Sequence, residues 1–291
     1  MGSLYGFEIE SDLPLRRLNP ADGTRGKLAV VQAEKSLDAP AQEPVSTLVD
    51  DAGRRWYASY ELENGCCLLE LPPSGSFKVD PAAGRVVVDR DDGDAELLEH
   101  RIASSALCVL LALRGDLVLH ASAVEVDGRA VLFCGPTQRG KSTLARALGE
   151  AGYRLLGEDG IAIELGGKRP IAFPGARGVR SRRRDEQGRN RTELVNDPGG
   201  GAPPPCPVAA VILLGERGET LSVERLEAAR ALALLTPNLV HSGGRGAIGA
   251  AFANLATLLG TVPAFTASLP DDLDLLSESA QDLLDVTSLD D

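Results

Sequence analysis

Eight residues constrain this chain more than any others: Gly135-Pro136-Thr137-Gln138-Arg139-Gly140-Lys141-Ser142 match G-x-x-x-x-G-K-[ST] in full. The pattern demands a particular local fold. Glycines let backbone N–H groups converge on one point, and a helix that starts at the lysine adds the partial positive charge of its N-terminus there. A buried strand has to deliver the loop and an amphipathic helix has to leave it. The flanking sequence supplies both: Ala130–Cys134 is an apolar run, and Lys141 to about Glu150 spaces its apolar residues as a helix that stops near Gly152. Such a loop implies a polyphosphate ligand cradled by Gly135, Pro136, Thr137, Gln138, Arg139, Gly140, Lys141, Ser142 and Thr143. Lys141 would reach the outer phosphates and Ser142 would ligate magnesium, so ATP and Mg2+ are the expected cofactors.

The rest of the chain is read around that loop. Up to about residue 90, short alternating or apolar segments lie between turn residues: Leu4–Ile9, Lys27–Gln32, Arg55–Leu62, Cys66–Leu71 and Arg85–Val88. This predicts an antiparallel β-rich lobe over residues 1–94. Past Asp92-Gly93-Asp94 the period changes, and Glu96–Leu113 reads as a helix ending before Gly115. A boundary is placed there, with residues 95–291 forming an α/β domain of mixed sheet and flanking helices. Its strands are Leu117–Val126, joined by an Asp127-Gly128 turn to Ala130–Cys134, then Arg154–Leu156 and the pair Ile161–Leu165 and Ile171–Phe173. Pro174–Pro207 is rich in Gly, Pro and Arg, has no period, and reads as a mobile segment. Val208–Leu214, Leu221–Arg225 and Ala264–Leu269 read as strands. Ala228–Leu235, Ala247–Leu259 and an acidic C-terminal stretch read as helices.

Composition limits the partners. A formal net charge of -12 argues against nucleic acid, whose phosphates need clustered Lys and Arg. One segment runs against this balance: Arg177–Arg191 carries seven arginines in fifteen residues, either a local anion contact or a solvated loop. No apolar run of about 18 residues and no signal segment is seen, which predicts a cytoplasmic protein without membrane contact. The five cysteines, an odd count with no C-x-x-C pair, read as buried apolar residues or free thiols.

A P-loop alone does not say where a phosphoryl group goes. Glu158-Asp159 follows the short strand after the P-loop helix and is therefore placed to sit beside the phosphates. One carboxylate would hold the metal and the other would accept a proton from the attacking hydroxyl, unless the pair is a turn facing water. Val208–Leu214, ending in Gly215-Glu216, is the formal alternative for the metal acid, and reads as a core strand. His120 precedes the P-loop strand, where it serves either the phosphate site or the core.

Leu119-His120-Ala121-Ser122-Ala123-Val124, the P-loop ending Gly140-Lys141-Ser142-Thr143-Leu144, and Gly152-Tyr153-Arg154-Leu155-Leu156-Gly157-Glu158-Asp159 together resemble the catalytic domain of HPr serine kinase. They are more closely similar to the HPr-kinase-like proteins of bacterial peptide-modification clusters, including those of lasso peptides. The resemblance covers Leu117 to Phe173 well and the remainder of the second domain loosely. It implies an HPr-kinase-like catalytic domain that transfers phosphate from ATP to a serine of a peptide or protein. Glu158, Asp159, His120 and Lys141 would be catalytic, and Ser142 and Asp159 would bind the metal. Where that family has two aspartates this chain has Glu158 first. Pro174-Gly175-Ala176-Arg177-Gly178 only echoes a further family signature. The resemblance also implies a homo-oligomer. A small-molecule hydroxyl kinase and a nucleotide-binding regulatory module with little transfer activity are the other readings.

Overall fold

Alternating apolar residues build the first sheet. The computed structural model describes residues 2–20, 23–50, 52–91, 93–136, 139–184, 190–195, 203–272 and 276–288. It divides into one unit of Met1–Val118 with Val240–Asn254 and another of Leu119–Leu239 with Leu255–Asp291. In the first unit β1 (Gly2–Leu4), β2 (Phe7–Ser11), β3 (Lys27–Gln32), β4 (Ser46–Val49), β5 (Arg55–Glu61), β6 (Cys67–Glu70), β7 (Gly75–Asp80) and β8 (Arg85–Arg90) pair in the order β1-β2-β3-β8-β7-β6-β5-β4. Leu28 and Val30 of β3, Phe77 and Val79 of β7, and Val86 and Val88 of β8 are buried, while their neighbours in sequence are less so. One face of the sheet is therefore core.

Two expectations for this lobe need correction. The run Leu4–Ile9 is two strands, because Tyr5 and Gly6 take positive φ of 54° and 79° and close a tight hairpin that sets Leu4 opposite Phe7. The sheet is also mixed, not antiparallel: β3 runs parallel to both β2 and β8. The reason is connectivity. A crossover of residues 12–26 separates β2 from β3, and four strands intervene before β8, so neither neighbour is reached through a tight turn.

Asp94 starts the helical segment by accepting the N–H groups of Glu96 and Leu97 at 2.8 and 3.3 Å. Helix α1 (Ala95–Arg101) runs through a π-helical turn, Ile102–Ala106, into α2 (Leu107–Leu113). This segment groups with the first sheet, whereas the boundary drawn from sequence at 94/95 assigns it to the second domain. Tyr5 donates its hydroxyl proton to the Ala103 carbonyl at 3.1 Å, the Glu99 carboxylate accepts the backbone N–H groups of Arg16 and Arg17, and α2 lies against β7 and β8. The change of period at residue 94 marks a change of secondary structure, but burial of the helix's apolar face decides the grouping.

In the second unit, entered through β9 (Leu117–Leu119), the hairpin of β10 (Ser122–Val126) and β11 (Arg129–Cys134) turns on Asp127-Gly128 as expected, both at positive φ. Helix α3 (Lys141–Glu150) follows, then β12 (Arg154–Gly157), β13 (Ile161–Glu164) and β14 (Ile171–Phe173). The stretch read as aperiodic holds an antiparallel pair, β15 (Val179–Arg184) and β16 (Asn190–Val195). Four arginines in the six residues of β15 leave no apolar period for the sequence to show. The chain ends with β17 (Cys206–Leu214), β18 (Ser222–Leu226), α4 (Ala228–Leu235), α5 (Arg245–Leu259), β19 (Ala264–Ser268) and α6 (Leu276–Ser288).

The main sheet of this unit is mixed. β10 pairs antiparallel with β11 and β12, and β11 runs parallel to β17. β17 is long enough to pair at its start with β14 and over Val211–Leu214 with β19. Helices α3 and α6 cover one face, where Leu144, Leu148, Leu283 and Leu284 meet Val131, Phe133, Ile212 and Phe265. No helix among the described residues is long and apolar enough to cross a membrane. Of the capping contacts, Asp94 is the most readily tested: Asp94→Ala is expected to destabilise the chain by about 1 kcal/mol in a denaturant melt.

Candidate nucleotide site

The loop between β11 and α3 has the geometry that its sequence requires. Gly135 leaves the strand at φ 139°, and a Cβ there would lie 2.8 Å from the Leu214 carbonyl of β17. Gly140 caps α3 at φ 96°, and a Cβ there would lie 2.7 Å from a guanidinium nitrogen of Arg217. No side chain fits at either position without strain. Thr137 and Gln138 lie outside the described residues. Lys141 opens α3 and folds back on its own loop, donating from Nζ to the Gly135 carbonyl at 2.6 Å and to that of Pro136 at 3.1 Å. Ser142 and Thr143 follow it on the first turn of the helix, half-buried.

Burial of the Lys141 amine pushes its pKa below the ordinary lysine value, and the carboxylate charge of Asp159, followed more weakly by that of Glu158, draws it back up. Glu158 and Asp159 therefore lie within electrostatic reach of the lysine, beyond the C-terminal end of β12. Glu158 is buried at 5% exposure, which excludes the reading of the pair as a turn wholly facing water. Asp159 takes φ 65°, a left-handed conformation that Asp adopts more readily than most residues.

His120 sits in the break between β9 and β10, not within a continuous strand Leu117–Val126. Its Nδ1 is 3.0 Å from the backbone oxygen of Asp159. A carbonyl only accepts, so Nδ1 is the donor and the neutral ring keeps its lone pair on Nε2. The β10·β12 pairing makes this possible, because Ala123 lies opposite Gly157 and the residues beyond each strand's end converge.

Asn238 was invisible to motif reading. It is buried at 5% exposure; its carbonyl accepts the His120 N–H at 2.7 Å, and its Nδ2 donates to the carbonyls of His120 and Gly135, both at 3.3 Å. One amide thus ties the histidine segment to the first residue of the cradle. Pro237 beside it was the available signal, since it ends a helix next to a polar residue. The segment Pro174–Gly178 also touches this region: the Gly175 N–H donates to the Leu156 carbonyl at 2.8 Å. Of the arginine-rich stretch, Arg177 is exposed and Arg189 lies outside the described residues.

The expected core strand ending in Gly215-Glu216 is β17, immediately beside the P-loop strand. Glu216 itself is exposed and pairs with Arg139 at 3.0 Å, a surface pair of small energetic weight. Cys67, Cys108, Cys134 and Cys206 are buried free thiols, and Cys66 is half-buried. Burial pushes Cys134, just before the loop, up to about 12, so it is a neutral thiol.

No family model matches the chain, and no curated protein matches it. A solved structure of the Hpr(Ser) kinase/phosphatase from Coxiella burnetii aligns over 57% of this chain and 89% of that one, at 16% identity and a TM-score of 0.32. A likeness of that degree leaves function to be read from the chain's own residues.

The cradle's need for glycine is testable. Gly135→Ala is expected to cost about 1–3 kcal/mol of stability, measured by denaturant melt, and to abolish binding of a fluorescent ATP analogue.

Proposed function

We propose that the chain is a kinase that transfers the γ-phosphoryl group of ATP to a serine hydroxyl of a peptide or protein. One observation carries the reading: a lysine at the head of a helix, wrapped in its own glycine loop, feels the charge of two carboxylates that follow β12, two strands away in the same sheet. The motif requires the first half of that arrangement, and phosphoryl transfer to a hydroxyl uses the second.

The residues fit both cofactors. In the loop two of the three Lys141 donors rest on neutral carbonyls, and exchanging those for phosphate oxygens would give stronger, charge-assisted bonds. Ser142 and Asp159 would hold magnesium, which when bound supplies neutralising charge to the phosphates. Glu158 would accept the proton of the serine hydroxyl as its oxygen attacks the γ-phosphorus, the bond to the β-phosphate oxygen breaks, and ADP leaves. His120, with Nδ1 on the Asp159 carbonyl, would hold that segment in place and present Nε2 as a second proton acceptor. Because the transferred group needs little covalent help, positioning and charge provide most of the rate.

A peptide acceptor is supported by the resemblance of the motifs to kinases of peptide-modification clusters, which makes a ribosomally made precursor, such as that of a lasso peptide, the first acceptor to try. A cytoplasmic location and assembly into a homo-oligomer belong to the same reading.

The test is transfer from labelled ATP to a serine-containing peptide. Lys141→Ala is expected to abolish it, and unchanged turnover in that variant would end the proposal. Glu158→Gln is expected to lower kcat by about 10²–10⁴-fold while leaving the Kd for ATP within a few-fold of the parent. Tight ATP binding without transfer to any hydroxyl would favour a regulatory module instead. Transfer to free amino acids or small alcohols, with peptides refused, would move the acceptor to a small molecule.

A further inference from the structure

Three cations surround the cradle, and their circumstances differ. Lys141 is shared between two loop carbonyls and the field of Asp159 and Glu158. Arg139 pairs with Glu216 at 3.0 Å. Arg217, two residues beyond the Gly215 that follows β17, places its guanidinium directly on Gly140: a Cβ built on that glycine would lie 2.7, 3.5 and 3.7 Å from Nη2, Cζ and Nε. Its Nη1 donates to the backbone oxygen of Pro270 at 2.9 Å, a neutral acceptor that uses one of five guanidinium donors.

The arrangement is unusual for a half-buried arginine in a chain of net charge -12. Among the described residues Arg217 is held by a main-chain oxygen, which positions the guanidinium without neutralising its charge. The parallel pairing of β11 with β17 places it at the C-terminal ends of adjacent strands, where open α/β sheets bind ligands. The ligand expected there carries several negative charges, and two carboxylates already oppose it from the β12 side.

We infer that Arg217 is a specificity-determining residue of the nucleotide site, a second cation at the rim of the P-loop that selects for a polyphosphate chain by direct charge-assisted hydrogen bonding. The inference rests on the nucleotide-binding reading above and adds to it a residue outside the motif. Gly140 itself is required by its φ of 96°, and the guanidinium occupies the open space beside it. Each added phosphate presents more negative charge to Arg217, so its contribution rises from mono- to di- to triphosphate.

The test uses the full chain and fluorescent analogues of AMP, ADP and ATP, with Arg217→Gln and Arg217→Lys compared with the parent. Gln keeps N–H donors without the charge; Lys keeps the charge without the fork. Arg217→Gln is expected to raise the Kd for ATP by about tenfold or more, with a smaller rise for ADP and the smallest for AMP, and Arg217→Lys to recover part of the loss. Thermal melts without nucleotide should be the same for all three proteins. Should Arg217→Gln bind ATP as the parent does, or lose all three nucleotides equally, the inference is overturned and Arg217 only packs the loop against Pro270. A parent chain that binds no nucleotide would instead remove the reading on which this rests, and the inference with it.

Discussion

The parallel pairing of β11 with β17 is the constraint on which the candidate site depends. It sets Cys134 beside Leu213, so that the strand feeding the P-loop ends against the carbonyl of Leu214. Contact that close leaves room only for hydrogen at Gly135, and the positive φ there turns the chain out of the sheet and toward α3. The same pairing brings the residues after β17 up to the other end of the loop, where the Arg217 guanidinium lies on Gly140. The loop is thus held between one strand and its continuation; Gly135 has a packing reason as well as a conformational one, and Gly140 is required by its positive φ.

A second strand pair brings the acids and the histidine. β12 lies on β10, and the chain segments that leave their adjoining ends meet, His120 to the Asp159 carbonyl. Asn238 then joins His120 to Gly135. Charge is distributed with the same economy. The lysine is buried, which disfavours its charged form, and nearby carboxylates restore part of that loss.

Legibility in the sequence followed the range of the interaction. The P-loop and its helix were readable because their signals are local: glycine spacing, an apolar run before and a 3.6-residue period after. The Asp127-Gly128 hairpin was readable for the same reason, since glycine takes positive φ freely and aspartate tolerates it better than most residues. The Tyr5-Gly6 turn was missed because tyrosine rarely takes φ 54°, and an apolar residue on either side made one strand look continuous. The direction of β3 was missed because nothing in six residues tells a strand whether its neighbours run with or against it. In Pro174–Pro207 the pairing of β15 with β16 was not legible because the arginine-rich β15 and its partner carry no apolar period.

By itself the sequence determined that a helix would begin at a lysine after a glycine-rich turn, that a carboxylate pair would end a short strand soon after, and that the whole would be acidic. These are statements about neighbours along the chain, settled by steric and hydrogen-bonding preferences that act over a few residues. Only the tertiary structure decided that the carboxylate charges are felt at that lysine, that Asn238 joins His120 to the loop from 118 residues further along, and that the Arg217 guanidinium lies beside Gly140. Those facts depend on which strands pair and in which direction. That choice is made by burial of apolar faces summed over the whole sheet, and no short segment of sequence carries it.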